Sequence, residues 1–190
     1  MGRPLAVAIT GGIGAGKSAA LEAFARRGIP TRSSDEIVHR LLREDSGVRA
    51  AIAERFGEGV ADDRARLASL VFDDREALAW LESLLHPRVV REYSAWREDL
   101  ARRSDPPRAV AIEVPLLYET GGEARFDKVV AITAPPNIRA GRTRVPADAR
   151  DERLLPDYEK VRRADFAYVN DGSLDELDAF VGNVVERLLS

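Results

Sequence analysis

The chain has 190 residues, 45% hydrophobic and 32% charged, with a net charge of −3. That length supports one compact domain with a full core, and the charge implies no basic face of the kind nucleic acid requires. No cysteine is present, which excludes disulfides, thiolate metal sites and cysteine nucleophiles and is compatible with a reducing cytosol.

After Met1-Gly2-Arg3-Pro4 the chain enters the apolar run Leu5 to Ile9. The run is too short for a signal-peptide core or a membrane span, so a cytoplasmic protein with no membrane partner is expected. It suits a strand buried on both faces of a parallel sheet. Ser18 to Arg27 follows with Leu21, Phe24 and Ala25 on one helical face, and Gly28 closes it. A second helix begins near Ser34 or Asp35, striped by Ile37, Val38, Leu41 and Leu42. From Ser46 to Ser104 the patterns are helical: Val48 to Phe56, Leu67 to Val71, Arg75 to Leu85 and Pro87 to Arg103. His86-Pro87 reads as the start of the last of these, and the aromatic residues Trp80, Tyr93 and Trp96 read as core. Asp105-Pro106-Pro107 is a break.

Two further buried strands are expected at Ala109 to Val114 and Lys128 to Thr133. Ala134-Pro135-Pro136 stops the second, and an arginine-rich helix starts near Asn137. Phe166 to Val169 is a last short strand, and Leu174 to Leu189 a closing helix. Strands separated by helices predict a three-layer α/β fold with a parallel sheet, as a single domain over 1–190 with a helical insertion at 36–106.

The sharpest motif is Gly11-Gly12-Ile13-Gly14-Ala15-Gly16-Lys17-Ser18. It matches G-x-x-x-x-G-K-[ST] and lies between an expected strand and an expected helix, as a P-loop requires. Glycines let backbone N–H groups curl round phosphate oxygens, and the helix N-terminus adds its dipole. Residues Gly12 to Ala19 are therefore the expected ATP-binding set, with Lys17 reaching the β- and γ-phosphates and Ser18 holding Mg²⁺. Lys17 has extra weight: of 29 basic residues, only Lys17, Lys128 and Lys160 are lysines.

Thr10 to Ser18, followed by Gly28-Ile29, Asp35, Phe56-Gly57, Asp63 to Leu67, Leu85-His86-Pro87, Val114-Pro115-Leu116-Leu117-Tyr118-Glu119 and Ala164 to Gly172, resembles the dephospho-coenzyme A kinase family over nearly the whole chain. The order and spacing of these segments carry the resemblance. It implies transfer of the ATP γ-phosphate to the ribose 3′-hydroxyl of dephospho-coenzyme A, with Mg²⁺ required. It also implies a substrate-binding role for 36–106 and a short lid at 137–156. Another nucleotide or metabolite kinase, or a nucleotide-binding paralogue without transfer activity, remains open at this stage.

The resemblance assigns Asp35 as the base that accepts the hydroxyl proton; the ordinary role of such a residue is a first-turn aspartate. It places Arg64, His86, Leu117 and Glu119 with Asp35 at the acceptor. Glu113 ends a buried strand, where P-loop enzymes place a Mg²⁺-holding acid; a solvent-exposed strand end is the alternative. Arg142 best matches the lid arginine that stabilises phosphate charge, whereas Arg139 and Arg144 read as a solvated helix face. Asn170 and Gly172 fall near the family's adenine loop, or form a plain turn. Three departures stand out: Ser33 replaces a family aspartate, Leu154 replaces a glutamine, and the stretch from Arg142 to Arg150, interrupted by Val145-Pro146, is shorter than the family's lid.

Overall fold

The structure is a computed structural model that describes residues 2–72, 74–142 and 155–190. The chain divides into two compact units, one of Met1–Ser33 with Arg97–Ser190 and the other of Ser34–Trp96.

The first unit is built on a parallel sheet. Its strands are β1 (Leu5–Thr10), β2 (Thr31–Ser33), β3 (Ala109–Glu113), β4 (Lys128–Thr133) and β5 (Phe166–Val169), in the order β2-β3-β1-β4-β5. Every pairing is parallel, and β1 lies between β3 and β4. The interior strands are apolar at successive positions because both faces are covered. On one face Val7, Ile9, Ala111, Val130 and Ile132 pack against α1 (Lys17–Arg26) and the C-terminal helix Leu174–Leu189 through Phe24, Leu177 and Val181. On the other, Ala8 and Val129 meet Leu117 and Tyr118. β2 is too short and polar to be read as a strand from sequence; pairing of Thr31 to Ser33 with Ala111 to Glu113 makes it one.

The second unit is helical. It contains α2 (Ser34–Glu44), α3 (Ser46–Phe56), α4 (Arg64–Phe72) and most of α5 (Arg75–Ala101). Asp45 caps α3 by accepting from Val48 N at 2.8 Å, and Asp74 caps α5 by accepting from Ala77 N at 3.0 Å. Arg40 of α2 pairs with Glu92 of α5.

The expected break at His86-Pro87 does not occur. Helix α5 runs through Pro87 without interruption. Ala77, Leu81, Leu85, Val89 and Tyr93 are all buried at a spacing of four, so one apolar stripe continues across the proline and holds the helix together. Pro87 offers no N–H to the Ser83 carbonyl. Next to that gap, the Arg88 guanidinium donates to Leu84 O at 2.7 Å. Near its C-terminus the buried Arg97 donates from Nε and Nη2 to Pro4 O at 2.8 and 2.5 Å, and from Nη2 to Asp127 Oδ2 at 2.7 Å. Burial, with Arg3 nearby, draws the Arg97 pKa down, while Asp127 opposes that shift.

Pro87→Ala tests whether packing alone carries α5 through the proline. Pro87 is exposed, so its removal leaves no cavity. Restoring the helical N–H recovers up to about 3 kcal/mol, and freeing the unfolded chain costs about 0.4–1 kcal/mol. The expected net gain is about 2 kcal/mol, read as a rise in Tm of about 4–8 °C. A lowered Tm would show that the second unit needs the proline's geometry.

Candidate active site

Strand β1 delivers the chain to Thr10, and residues 11–16 turn back onto the start of α1. Gly16 stands at φ 101°, a left-handed conformation that an L side chain resists, and a Cβ there would collide with Asn170 Nδ2. Ala15 N donates to Gly12 O at 3.3 Å, and the buried Lys17 donates from Nζ to the same carbonyl at 2.9 Å. The first helical bond runs from Ala20 N to Gly16 O at 3.0 Å. The amides of Lys17, Ser18 and Ala19 precede it, the arrangement in which helix N-termini bind anions. No acidic residue occupies the first turn of α1 to compete with a phosphate.

Asn170 braces this loop. It is buried at the exit of β5, its backbone N donates to Thr133 O at 2.7 Å, and its Nδ2 donates to Ala15 O at 2.8 Å. Its Oδ1 is buried without a hydrogen-bond partner among the described residues. Gly172 lies beneath the capping box of α8 (Leu174–Leu189), in which Ser173 and Glu176 cap each other; a Cβ on Gly172 would strike the Glu176 carboxylate.

Glu113 is 5% exposed, which removes the solvent-facing alternative for it. It lies between Ile9 of β1 and Ser33 of β2 in the sheet register. Ser18 Oγ donates to Glu113 Oε1 at 3.4 Å, a long bond that sets two hard oxygen donors together. Among the described residues no group of three or more His, Asp or Glu side chains is gathered as a metal cage. The Ser18–Glu113 pair fits Mg²⁺, which takes one or two protein oxygens and completes its shell with water and substrate phosphates.

The arginines divide differently from the sequence expectation. Helix α6 (Pro136–Arg142) lays Arg139 over the phosphate loop: a Cβ on Gly12 would stand 2.7 Å from Arg139 Nη1, and one on Gly14 3.1 Å from Arg139 O. Arg142 instead donates from Nη1 to Asn170 O at 3.2 Å, on the Asn170 side of the loop. Asp157, in the first turn of α7 (Asp157–Arg163), also approaches Gly12, with Oδ1 3.6 Å from the position of that Cβ. Sequence reasoning passed over Asp157 altogether. Arg144, Val145-Pro146, Arg150, Arg153 and Leu154 lie outside the described residues, as does most of the expected lid.

The residues expected at the acceptor separate into two sets. Asp35 in the first turn of α2, Arg64 at the start of α4 and the half-buried His86 of α5 all belong to the helical unit, and Asp35 and Arg64 are exposed. Asp35 stands two residues past the end of β2. Leu117 and Glu119 belong to the sheet unit. The Leu117 side chain is wholly buried in the core with Ala8, Tyr118 and Val129, so it packs the sheet and presents no face to a ligand. One Glu119 carboxylate oxygen, Oε1, meets Lys160 Nζ at 2.7 Å and accepts from Leu155 N at 2.8 Å.

A glycine loop leaving the central strand of a parallel sheet, closed over a lysine and followed by a hydroxyl beside a buried acid, defines a nucleotide-binding protein of the P-loop class. A family model described as dephospho-CoA kinase matches residues 5–176. The dephospho-CoA kinase of Mesorhizobium japonicum is 38% identical, covering 97% of this chain and 96% of the relative, and that of Brucella melitensis is 36% identical over 97% and 95%. The chain belongs to the dephospho-CoA kinase family. Among solved structures, a Thermus thermophilus protein superposes with a TM-score of 0.79 at 31% identity, covering 98% of this chain and 99% of its own. Dephospho-CoA kinase from Campylobacter jejuni has the same fold, with a TM-score of 0.67 at 24% identity over 98% of both chains.

Asn170→Asp tests the brace. It removes the donor to Ala15 O and sets a buried carboxylate against a carbonyl, at a cost of about 1–3 kcal/mol. The expected result is a roughly tenfold or larger rise in the Kd for ATP by calorimetry, with the far-UV spectrum preserved. An unchanged Kd would show that the loop holds its shape without Asn170.

Proposed function

We propose that this chain phosphorylates the ribose 3′-hydroxyl of dephospho-coenzyme A with Mg²⁺-ATP, giving coenzyme A and ADP. The observation that carries this reading is the closed phosphate loop, with Lys17 and the Ser18–Glu113 oxygens at its mouth, in a chain of this family. Lys17 exchanges its bond to Gly12 O for the γ-phosphate, the nearest strong acceptor once nucleotide is bound. The loop amides and the α1 N-terminus hold the β-phosphate. Ser18 and Glu113 would hold Mg²⁺, which would supply charge neutralisation to the phosphate oxygens.

Asp35 accepts the proton of the 3′-hydroxyl as its oxygen bonds to the γ-phosphorus and the bond to the ADP oxygen breaks. Arg64 and His86, in the same helical unit, contribute to holding the acceptor. The position of Arg139 over Gly12 supports giving it the transferring phosphoryl group, and Arg142 the nucleotide beside Asn170. No helix among the described residues is long and apolar enough to cross a membrane, and a cytoplasmic site of action fits a reaction that consumes ATP.

A coupled ADP-release assay over an acceptor panel tests the function. Dephospho-coenzyme A should be used far better than AMP, adenosine or shikimate at equal concentration; a win for any of those assigns a different acceptor. Asp35→Asn should cut kcat by about 10²-fold or more while ATP affinity holds, since the amide can orient the hydroxyl but cannot take its proton. Unchanged turnover would make Asp35 a first-turn helix residue and nothing more. Arg139→Ala should lower kcat by about 10²-fold, a transition-state donor's share, and by more than Arg142→Ala does. The reverse ranking would return the phosphoryl contact to Arg142.

A further inference from the structure

Glu119 and Lys160 form an ion pair that the proposed chemistry does not use. Lys160 is fully buried, the Glu119 side chain is 11% exposed, and Nζ lies 2.7 Å from Oε1. The same Oε1 accepts from Leu155 N at 2.8 Å, and Oε2 is buried without a hydrogen-bond partner among the described residues. A lysine without solvent is costly to desolvate, and a buried pair is commonly no more stabilising than apolar residues of the same size. Stability alone is therefore a poor reason for this pair.

Its place in the fold supplies another. Glu119 lies in the turn that follows β3, where Gly122 N donates to Leu117 O at 2.8 Å. Lys160 is in the middle of α7, and Leu155 stands two residues before that helix. The pair thus fastens α7 to the β3 end of the sheet. Helix α7 in turn carries Asp157 to Gly12, where Arg139 Nη1 also stands. Leu155 and Ala164, which flank α7, also pack against the buried cluster of Leu117, Tyr118 and Val129, and on the outer side Arg163 stacks 4.3 Å from the Tyr118 ring centroid and pairs with Glu123, both partners of that pair being about a third exposed. Solvent screens the Arg163 contacts, which order less than a buried charge pair.

We infer that Glu119 and Lys160 are positioning residues for phosphoryl transfer, holding α7 so that Asp157 and Arg139 keep their station over the phosphate loop. This rests on the kinase reading above and reassigns Glu119 from the acceptor to the support of the loop. The pair acts through α7 and touches no reacting atom. Misplacing a phosphate-contacting group by about 1 Å costs as much as 10²-fold in rate, so a loosened α7 has a kinetic signature even where the fold survives.

The test is E119L/K160M, which replaces the pair by apolar side chains of similar volume. The double variant should melt at or above the parent temperature while kcat falls about tenfold or more. Calorimetry should find ATP Kd within about threefold of the parent. Hydrogen exchange should quicken about tenfold in residues 157–163 and in the loop 12–16, with 109–113 unchanged. Parental kcat in the folded variant, or parental exchange in α7 and the loop, overturns the proposal. Should E119L/K160M fail to fold, E119Q/K160M is judged by the same criteria, since its amide oxygen still accepts from Leu155 N without a buried charge. If the parent protein does not phosphorylate dephospho-coenzyme A, the functional reading fails, and the exchange measurement alone decides the pair.

Discussion

The turn from β1 into α1 is the constraint around which the sheet unit is arranged. β1 is flanked by β3 on one side and β4 on the other, so its carboxyl end has no free edge along which to leave. The chain rises out of the sheet and turns back onto α1 within residues 11–16, where Gly11, Gly14 and Gly16 at positive φ let so short a loop close. Gly16, with its left-handed φ and Asn170 pressed against it, shows the cost of any side chain there. That reversal aims the first amides of α1 at one point. The other strands then fix what surrounds the point: β3 supplies Glu113, β4 leads to Arg139, and β5 leads to Asn170. One buried strand therefore sets the positions of groups contributed from four separate parts of the chain.

How legible this was in the sequence depended on whether a residue's role was local. The phosphate loop was legible because its glycines, lysine and serine act within eight consecutive residues. The buried strands were legible because a parallel sheet asks for unbroken apolar runs, as in Ala109 to Ile112. β2 was not, since Thr31-Arg32-Ser33 carries no such run and becomes a strand only through its partner. At Pro87 a local rule gave the wrong answer, because the stripe from Ala77 to Tyr93 buries enough apolar surface to outweigh one missing hydrogen bond.

Arg139 and Lys160 show the same limit from the side of charge. In a chain so rich in arginine, one more arginine on a short helix carries almost no information, and the position of Arg139 over Gly12 depends on how α6 leaves β4. Lys160 did have a signal. Lysine is rare in this chain, and the other buried lysine is Lys17 of the phosphate loop. Rarity marked Lys160 as unusual, but its partner Glu119 is 41 positions away by residue number and is found only when β3 and α7 come together.

The register of β2 also gives physical content to the departure at Ser33. Ser33 is 6% exposed and pairs in register with Glu113, itself 5% exposed. An aspartate at this position would set a second buried carboxylate beside the first. Two such groups repel, and one is driven to hold a proton unless a cation lies between them. Serine removes that repulsion and keeps a hydroxyl at the strand end. With serine there, a cation held beside Ser18 and Glu113 would meet less protein charge and would depend more on the phosphates of the nucleotide. Metal and nucleotide binding would be coupled to that extent, because each would supply charge that a serine at this strand end does not.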